Sequence, residues 1–485
     1  MELLNLNIGL AAPEIVLLCG LFSVLLVDLW LNDEQRYISH FLSIGVMAAA
    51  VIGQFAVWRS EPATAFGGMY IADGVAQLAK VAVYTGIAVL FVYSKSYNRM
   101  HRIFKGEYYT LSMFAAVGAS VMISAGHFLV AYIGLELLSL SLYALIALRR
   151  DSASASEAAL KYFVLGALAS GLLLYGVSLV YGATGSLQFS RILETVHAGQ
   201  ANGWLLKLGV LLIVAAVAFK FGAVPFHMWV PDVYQGAPTS VAALVGSVPK
   251  IAATVFAFRI MVGALVLQKG DWQPMFTLLA VASLLIGNLA AIAQTNIKRM
   301  LSYSTISHMG FVLLAFLGGA AGFGVEAAVY YAVTYAIMSL AGFGVLMLLS
   351  REGAECENIS DLTGLNQRNA WYAFLMLLVM FSMAGLPPMM GFYAKFGVIK
   401  AMMASQYPWA TAVAVFAVVM SLIGAYYYLR VVKVMYMDDK TTDAPIGGDT
   451  GIKVLLSANC LLLLAWVCFP DWLMALIRQA VIISA

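Results

Sequence analysis

The sequence predicts an all-α polytopic membrane protein with about fourteen transmembrane helices. The chain of 485 residues is 62% hydrophobic and only 11% charged, whereas soluble globular domains carry roughly 25% charged residues. Apolar stretches of roughly 20 residues, the length that crosses a bilayer as a helix, recur along the whole chain. The two longer connections, 184–202 and 350–369, leave no room for a soluble domain.

The predicted spans follow one another through short connections. They cover residues 8–30, 37–58, 73–94, 108–125, 127–148, 158–182, 203–230, 238–262, 273–294, 300–318, 323–349, 370–404, 409–432 and 452–474. The seventh and twelfth are the longest and contain internal proline and glycine. Because proline removes a backbone donor and clashes with the preceding turn, we expect both of these helices to be broken.

The two broken spans resemble each other. Span seven contains FKFGAVPFHMWVPD and span twelve contains FSMAGLPPMMGFYAKFG. They lie five helices apart, and an odd offset reverses direction across the membrane, which predicts two five-helix inverted repeats. The expected organisation is helices 1–3 in 1–107, the first repeat (helices 4–8) in 108–262, the second repeat (helices 9–13) in 263–437, and helix 14 in 438–485.

The distribution of Lys and Arg predicts the orientation. Fifteen basic residues lie in loops after odd-numbered spans, seven lie on the opposite side and five lie inside spans. Cytoplasmic loops carry the excess of basic residues, so both termini are expected on the periplasmic side of a bacterial inner (plasma) membrane. The first apolar run contains Glu14 and Asp28 and is too long for a cleavable signal.

Composition also excludes several classes of function. A net charge of +3, scattered along the chain, does not favour a nucleic-acid surface. The four cysteines have neither metal-ligand nor redox spacing. The sequence contains no phosphate-binding glycine loop and no bis-histidine haem pattern, so we expect no cofactor-binding residues, no metal and no redox cofactor in this chain.

Four of the charged residues inside apolar spans are candidates for function: Lys220, Lys250, Lys395 and Glu136. Each such charge costs about 3 kcal/mol at the centre of a bilayer. Two of the lysines lie within a few residues of a helix-breaking proline, and freed backbone at membrane depth is tolerated only where it is buried in protein or lines a water-filled cavity. Charge beside a broken helix predicts an ion pathway.

Glu136 and Lys220 are the candidate switch. Glu136 shares one helix stripe with Tyr132, Ser139 and Tyr143, which predicts that it faces the bundle interior. A carboxylate beside Lys220 would keep the lysine protonated, and opening the pair would release the proton. The alternatives are a structural interhelical hydrogen bond for Glu136 and a snorkelling side chain for Lys220.

Lys250 and Lys395 are candidate relay members at similar depth, although Lys395 could instead be an interface lysine. His308, in SYSTISHMGF, either links proton sites or makes a hydrogen bond within the bundle. His227, in the second half of span seven, is a candidate for the exit of the broken helix.

Two further lysines are weaker candidates for the ion pathway. Lys161 follows Glu157 by four residues, which fits either a surface ion pair or a proton entrance. Lys80 is expected to be structural and to pair with Asp73.

Several motifs resemble a known family. KFGAVPFHMWVPDVYQGAPTSVAAL, SVPKIAA, NIKRMLSYSTISHMG and AGLPPMMGFYAKF are similar to the antiporter-like, proton-translocating subunits of respiratory complex I, a family related to Mrp antiporter subunits. Within it, VPDVYQGAPT and the absence of a long C-terminal extension resemble the N-type subunits of bacterial NADH–quinone oxidoreductase.

The resemblance implies roles for particular residues. The family's glutamate of helix five matches Glu136, its lysine of broken helix seven matches Lys220, its basic residue of helix eight matches Lys250, its terminal group of helix twelve matches Lys395, and its lysine near the start of helix six matches Lys161. Lys395 differs from the M-type subunits, which carry glutamate there, and Lys250 differs from the L type, where histidine is common.

The resemblance also implies a function, that of a translocase subunit that couples electron transfer elsewhere to H⁺ pumping. NADH, FMN, iron–sulfur clusters and quinone (ubiquinone in many members) would belong to partner subunits. The partners would be other membrane-arm subunits, the peripheral redox arm indirectly, and the lipid bilayer, with no nucleic acid. A stand-alone or Mrp-type cation/proton antiporter subunit is the main alternative, and a structural scaffold with vestigial charges is a third.

Overall fold

The computed structural model describes residues 6–319, 323–440 and 446–484. Within this part the regular secondary structure is helical, apart from one small hairpin of β1 (Ala63–Ala65) and β2 (Tyr70–Ala72). The first seven helices are α1 (Ala12–Asp28), α2 (Tyr37–Ala56), α3 (Gly74–Met100), α4 (Gly106–Ile123), α5 (Phe128–Ile146), α6 (Ala153–Thr184) and α7 (Phe189–His197).

The middle of the chain forms seven more helices, with a π-helical turn (Phe258–Ala264) continuing the fourth of them. They are α8 (Gly203–Phe221), α9 (Trp229–Gly236), α10 (Thr239–Val245), α11 (Val248–Ala257), α12 (Lys269–Ile292), α13 (Ile297–Phe316) and α14 (Gly324–Leu349). The last six are α15 (Leu365–Arg368), α16 (Ala370–Ala384), α17 (Met390–Ala404), α18 (Ala410–Met437), α19 (Thr450–Ala465) and α20 (Pro470–Ser484).

The prediction of an all-helical polytopic membrane protein is confirmed. Ten helical stretches of the described residues are long and apolar enough to cross a membrane. They are Ile8–Asp28, Asp33–Ala56, Gly74–Met100, Phe128–Ile146, Ala153–Thr184, Gly203–Phe221, Thr239–Ala264, Val266–Ile292, Gly324–Leu349 and Ala410–Met437. The other four predicted spans fall on α4, on α13, on the pair α16 and α17, and on α19.

The centre of the bundle is formed by two of these stretches. In Thr239–Ala264 and in Gly324–Leu349, 94% of the most apolar window is buried inside the protein, against 39% in Ala153–Thr184 and in Ala410–Met437. Helices that are apolar on every side belong in a core or against lipid. The α10–α11 stretch and α14 are therefore the internal helices, and α6 and α18 lie at the periphery.

Close approaches at glycines join α4 to α5 and α12 to α13. A Cβ on Gly118 of α4 would lie 2.7 Å from the carbonyl oxygen of Gly134 in α5. A Cβ on Gly287 of α12 would lie 2.9 Å from the carbonyl oxygen of Tyr303 in α13. Small residues let the backbones of membrane helices approach in this way. The α4–α5 and α12–α13 pairs are thus built alike.

Both predicted helix breaks are present. Helix α8 ends at Gly222, whose φ of +73° is left-handed, and the chain continues through a cis Val224–Pro225 bond to α9. Helix α16 ends at Gly385, with φ of +81°, and continues through a cis Pro387–Pro388 bond to α17. Glycine adopts positive φ without steric cost, so it is the residue that ends each helix.

The prediction of a single helix at the C-terminal end was wrong. The chain forms α19, a short turn (Trp466–Cys468) and then α20, which packs against α3 where Gly74 meets Ala480. Helix α20 is amphipathic, and its Arg478 lies 3.3 Å from Glu326 of α14, so no continuous apolar run marked it. The amphipathic helix α7 was missed for the same reason, whereas the two strands of the hairpin have only three residues each and are too short to form a recognisable pattern.

Charged loops that were predicted to share one side of the membrane do meet in the structure. Arg149, after α5, lies 2.5 Å from Glu355, after α14. Lys95, near the end of α3, lies 3.1 Å from Asp449, before α19. These contacts define one charged end of the bundle. The predicted position of the chain ends concerns residues 1–5 and 485, which lie outside the described residues.

Candidate functional site

The break after α8 leaves backbone carbonyls without helical donors. Pro225 has no N–H, and the amide of Val224 donates to a serine hydroxyl of α12 at 2.9 Å instead of continuing the helix. The ammonium of Lys250, which is 1% exposed, donates to the carbonyl oxygens of Lys220 and Phe221, each at 3.3 Å. A cation is favourable at the negative end of a helix dipole, so Lys250 caps α8.

Glu136 and Lys220 are held apart by two serines. The Lys220 ammonium donates to Ser139 Oγ at 2.8 Å, and Ser139 lies one turn after Glu136 in α5. Ser170 of α6 donates to the Glu136 carboxylate. Glu136 and Lys220, both in the described part of the chain, form no direct ion pair within 4.0 Å. The structure therefore has the candidate switch in its open arrangement.

A small internal cavity joins the two lysines of the first break. The volume that the centre of a water molecule can reach inside this cavity is about 20 Å³, which is enough to hold about one water. Its lining is mixed, with two lysines, a serine, two aromatic residues and aliphatic side chains: Lys220, Lys250, Ser139, Tyr162, Trp229, Met122, Leu135, Leu138, Leu142, Val245, Pro249 and Ala253. A proton could pass between Lys220 and Lys250 through this space.

A larger cavity of about 400 Å³ opens at the charged end of the bundle. Lys161, which is 44% exposed, lies 2.8 Å from Glu157 and 2.8 Å from Asp232 of α9. Arg299 of α13 lies 2.8 Å from the other oxygen of Asp232. We call this cavity the mouth. Lys161 thus makes the expected pair with Glu157 and in addition lies at an opening.

The structure adds a buried ion cluster that the sequence did not indicate. Glu355 accepts hydrogen bonds from Arg149 at 2.5 Å, from Thr239 at 2.7 Å and from Lys298 at 3.3 Å. Burial acts to raise the pKa of Glu355, but Lys298 and Arg149 outweigh it and lower this pKa from its ordinary value of 4.5 to about 2.

Lys298 is one of the fifteen basic residues that the sequence places in loops after odd-numbered spans, but it lies in the first turn of α13 and is 1% exposed. The four groups of the cluster, Glu355, Arg149, Thr239 and Lys298, come from four separate segments of the chain. No local sequence pattern could therefore have found them.

Lys395 occupies the second break. Its ammonium donates to the carbonyl oxygen of Ala384, the last residue of α16, and to Ser421 Oγ of α18, both at 2.8 Å. It also lies 5.5 Å from the centre of the Phe311 ring. The side chain is half-buried and caps α16, so it is built into the break and is not a free interface lysine.

His308 is buried between three helices of the second half. Its Nδ1 lies 2.7 Å from the Tyr331 hydroxyl and its Nε2 lies 3.2 Å from the Tyr428 hydroxyl. Ser304, one turn earlier in α13, also contacts the Tyr428 hydroxyl. Phe311, one turn later, is the ring beneath Lys395. His308 therefore lies within a hydrogen-bonded network, one helical turn from the Phe311 ring that contacts Lys395.

Two other candidates lie elsewhere. His227 is in the first break, half-buried, with a buried Nδ1 that has no partner among the described residues, and it is not among the residues that line the mouth or the small cavity. Lys80 lies 2.5 Å from Glu14 of α1, so the expected Lys80–Asp73 pair was wrong. Asp73 caps the start of α3 and binds Arg259 at 2.7 Å, two helical turns from Lys80.

Comparisons with known proteins agree on one family. A family model described as "NADH:quinone oxidoreductase/Mrp antiporter, TM" matches residues 125–421. A protein of Neisseria gonorrhoeae named NADH-quinone oxidoreductase subunit N is 63% identical over 473 residues, which cover 96% of this chain and 97% of the relative. A protein of the same name from Laribacter hongkongensis is 53% identical over 481 residues, covering 98% of each chain.

Solved structures show the same fold. A chain of respiratory complex I from Thermus thermophilus with bound aureothin is 30% identical, with a TM-score of 0.81, and the match covers 96% of this chain and 100% of that one. A chain of the Mrp complex from a Dietzia species is 19% identical, with a TM-score of 0.82 over 98% of this chain and 97% of that one. The latter likeness concerns the fold alone.

Proposed function

This chain belongs to the NADH:quinone oxidoreductase/Mrp antiporter family of transmembrane proteins, and we propose on that basis that it is a proton-translocating membrane-arm subunit of NADH–quinone oxidoreductase. The observation that carries the proposal is the placement of Lys220, Lys250 and Lys395 at the two helix breaks. The 63% identity to a subunit N over nearly the whole of both chains favours this function over a stand-alone antiporter.

The proposed path begins at the mouth. Protons are taken up beside Lys161 and Asp232 and pass to Lys220, whose charge is set by Glu136. The small cavity carries them to Lys250. The His308 network then connects the centre of the bundle to Lys395, from which they leave. Carbonyl or hydroxyl oxygens hold Lys220, Lys250 and Lys395, so a proton moves on from each of them only when a neighbouring charge changes.

We further propose fourteen membrane crossings, with helices 4–8 and 9–13 as inverted repeats. The two breaks support this pairing, because in each a proline follows the left-handed glycine by three residues: Gly222 to Pro225 and Gly385 to Pro388. The glycine contacts of α4 with α5 and of α12 with α13 support it as well. The bias of Lys and Arg favours both termini on the periplasmic side of a bacterial inner membrane.

The redox chemistry is proposed to lie in partner subunits. In the described part of the chain no cluster of three or more His, Cys, Asp or Glu side chains could hold a metal ion. On this proposal NADH, FMN, iron–sulfur clusters and quinone are bound elsewhere in the complex, and this chain receives the energy of electron transfer through its contacts with neighbouring membrane-arm subunits.

The test uses the intact complex in proteoliposomes. We expect Lys220→Ala and Glu136→Ala to lower NADH-driven proton pumping and coupled quinone reduction, while assembly and NADH oxidation with an artificial acceptor stay normal. Lys207→Ala is the matched control, because Lys207 is an exposed lysine of the same helix, 3.7 Å from Asp271. Full quinone reductase activity with normal pumping in both relay variants would refute the proposal.

A further inference from the structure

The stacked rings of Tyr162 and Trp229 separate the mouth from the small cavity. Both rings line the small cavity beside Lys250. Lys161, which directly precedes Tyr162 in α6, lines the mouth, and so does Asp232, which follows Trp229 by one turn of α9. Two helices therefore pass from one cavity to the other at the level of this ring pair.

The contact between the rings is tight. Their centroids lie 4.3 Å apart with an interplanar angle of 20°, and Tyr162 and Trp229 are 4% and 1% exposed. Tyr143 packs edge-on against Tyr162, with centroids 4.7 Å apart, and Phe219 lies 5.6 Å from Trp229. Stacked aromatic faces leave no room for water between them, so a chain of waters from the mouth ends at this pair.

Trp229 also lies close to the buried ammonium of Lys250. Its Nε1 donates to the carbonyl oxygen of Phe219 at 3.2 Å, and the Lys250 ammonium lies 5.1 Å from the centre of its ring. A cation is attracted to an indole face, whereas a neutral amine is not. A proton on Lys250 therefore helps to hold the ring in place, and loss of that proton removes this hold.

We propose that Trp229 and Tyr162 form a gate between the mouth and the buried lysines, and that the charge on Lys250 helps to keep it shut. This inference rests on the function proposed above. When Lys250 is protonated, the gate blocks a further proton and prevents back-flow to the mouth. When Lys250 has passed its proton on, the ring is released and the next proton can enter.

The experiment measures access to the small cavity in the resting complex. Ala253 is buried in the cavity wall, and Ala253→Cys is introduced after Cys19, Cys356, Cys460 and Cys468 have been replaced. The membrane-impermeant anion 2-sulfonatoethyl methanethiosulfonate is added on the side of the mouth. We expect slow labelling with the gate intact, and labelling about twofold to tenfold faster with Trp229→Ala or Tyr162→Ala.

Trp272→Ala is the matched control. Trp272 is equally buried, donates its Nε1 to a backbone carbonyl at 3.1 Å and packs against Phe276, but it lies on α12 away from both cavities. Equal labelling rates in Trp229→Ala and Trp272→Ala would overturn the gate. If alanine prevents assembly, Trp229→Phe and Trp272→Phe repeat the comparison with a ring retained.

The role of the charge has its own variant. Lys250→Met, with Trp229 intact, should also speed labelling, and an unchanged rate would overturn the part assigned to Lys250. Labelling requires no NADH turnover, so the gate and the proposed function can fail separately. Full quinone reductase activity with normal pumping in both Lys220→Ala and Glu136→Ala would refute the function whatever the labelling rates, whereas uniform labelling rates would remove only the gate.

Discussion

The ammonium of Lys250 and the backbone carbonyl of Lys220 lie 3.3 Å apart, so the charge of one lysine caps the helix that carries the other. Lys395 makes the equivalent contact with Ala384 at the second break, at 2.8 Å. A broken helix at membrane depth leaves carbonyl oxygens that need donors, and a buried ammonium needs acceptors. Break and lysine therefore stabilise each other.

The capping and the proton transfer of Lys250 can be separated by substitution. Lys250→Met leaves two buried carbonyls without a donor, at ~1–3 kcal/mol each, so we expect a lower melting temperature of the purified complex and loss of pumping. Lys250→Arg keeps a charged donor, which should restore much of the stability. Pumping should stay low, because a guanidinium does not release its proton.

The melting temperature and the pumping rate of Lys250→Arg together show whether Lys250 transfers a proton or only caps the helix. Melting is followed in detergent and pumping by NADH-driven fluorescence quenching in proteoliposomes. Wild-type pumping in Lys250→Arg would exclude Lys250 as a group that gives up a proton, and would leave it a purely structural cap.

Ser139 holds Lys220 away from Glu136. Without the Ser139 hydroxyl, the Lys220 ammonium loses a hydrogen-bond acceptor. Hydrogen bonds from charged groups contribute ~1.5–3 kcal/mol, so Lys220 should move towards the Glu136 carboxylate. We therefore expect Ser139→Ala to favour the closed pair and to slow coupled quinone reduction several-fold. The rate is measured in sealed vesicles with and without an uncoupler.

Ser141→Ala is the control for this prediction. Ser139 and Ser141 lie in the same helix, and each donates a hydrogen bond to the backbone carbonyl four residues earlier. Ser139 donates to Leu135 at 2.6 Å, and Ser141 donates to Leu137 at 2.7 Å. If the two alanine variants behave alike, Ser139 has no specific influence on the Glu136–Lys220 pair.

The Glu14–Lys80 pair is expected to stabilise the fold without taking part in transport. Both side chains are buried, and the Lys80 ammonium also donates to Tyr70 at 2.6 Å. Breaking a buried pair from one side costs ~3–5 kcal/mol, so Lys80→Met should lower the melting temperature strongly. Glu14→Gln combined with Lys80→Met should recover part of that loss. A reduced number of protons pumped per electron in assembled variants would contradict a purely structural role.

Glu355 should make stability depend on pH in the acid range. Its folded-state pKa is lowered to about 2 from 4.5, so its contribution is complete above about 4.5 and is lost as the pH falls towards 2. One pKa unit corresponds to ~1.4 kcal/mol, which allows a contribution of up to about 3 kcal/mol. Glu355→Gln should be less stable at neutral pH and should lose less on acidification.

Thermal unfolding between pH 6 and pH 3 checks this prediction. The control is Glu352→Gln, a variant of an exposed glutamate in the same loop. If stability falls with pH in parallel for the wild type and Glu355→Gln, the titration of Glu355 makes no contribution to stability in this pH range.

The membrane class, the two helix breaks and the buried lysines followed from the sequence because each depends on local chemistry. Apolar runs of bilayer length, a proline inside such a run and a charge at its centre can all be read without knowing which helices are neighbours. The amphipathic helix α20 escaped notice because it needs a partner helix to bury its apolar face, and nothing in its own composition marks a span.

The tertiary structure decided which side chains of different helices contact each other. The sequence by itself indicated that Lys220, Lys250 and Lys395 lie inside apolar spans and that two of these lysines lie within a few residues of a proline. It did not determine that Lys250 caps the helix of Lys220, that Lys80 meets Glu14 and not Asp73, or that Tyr162 lies on Trp229. These contacts join residues from different helices, and only the packing of the helices brings their side chains within reach of one another.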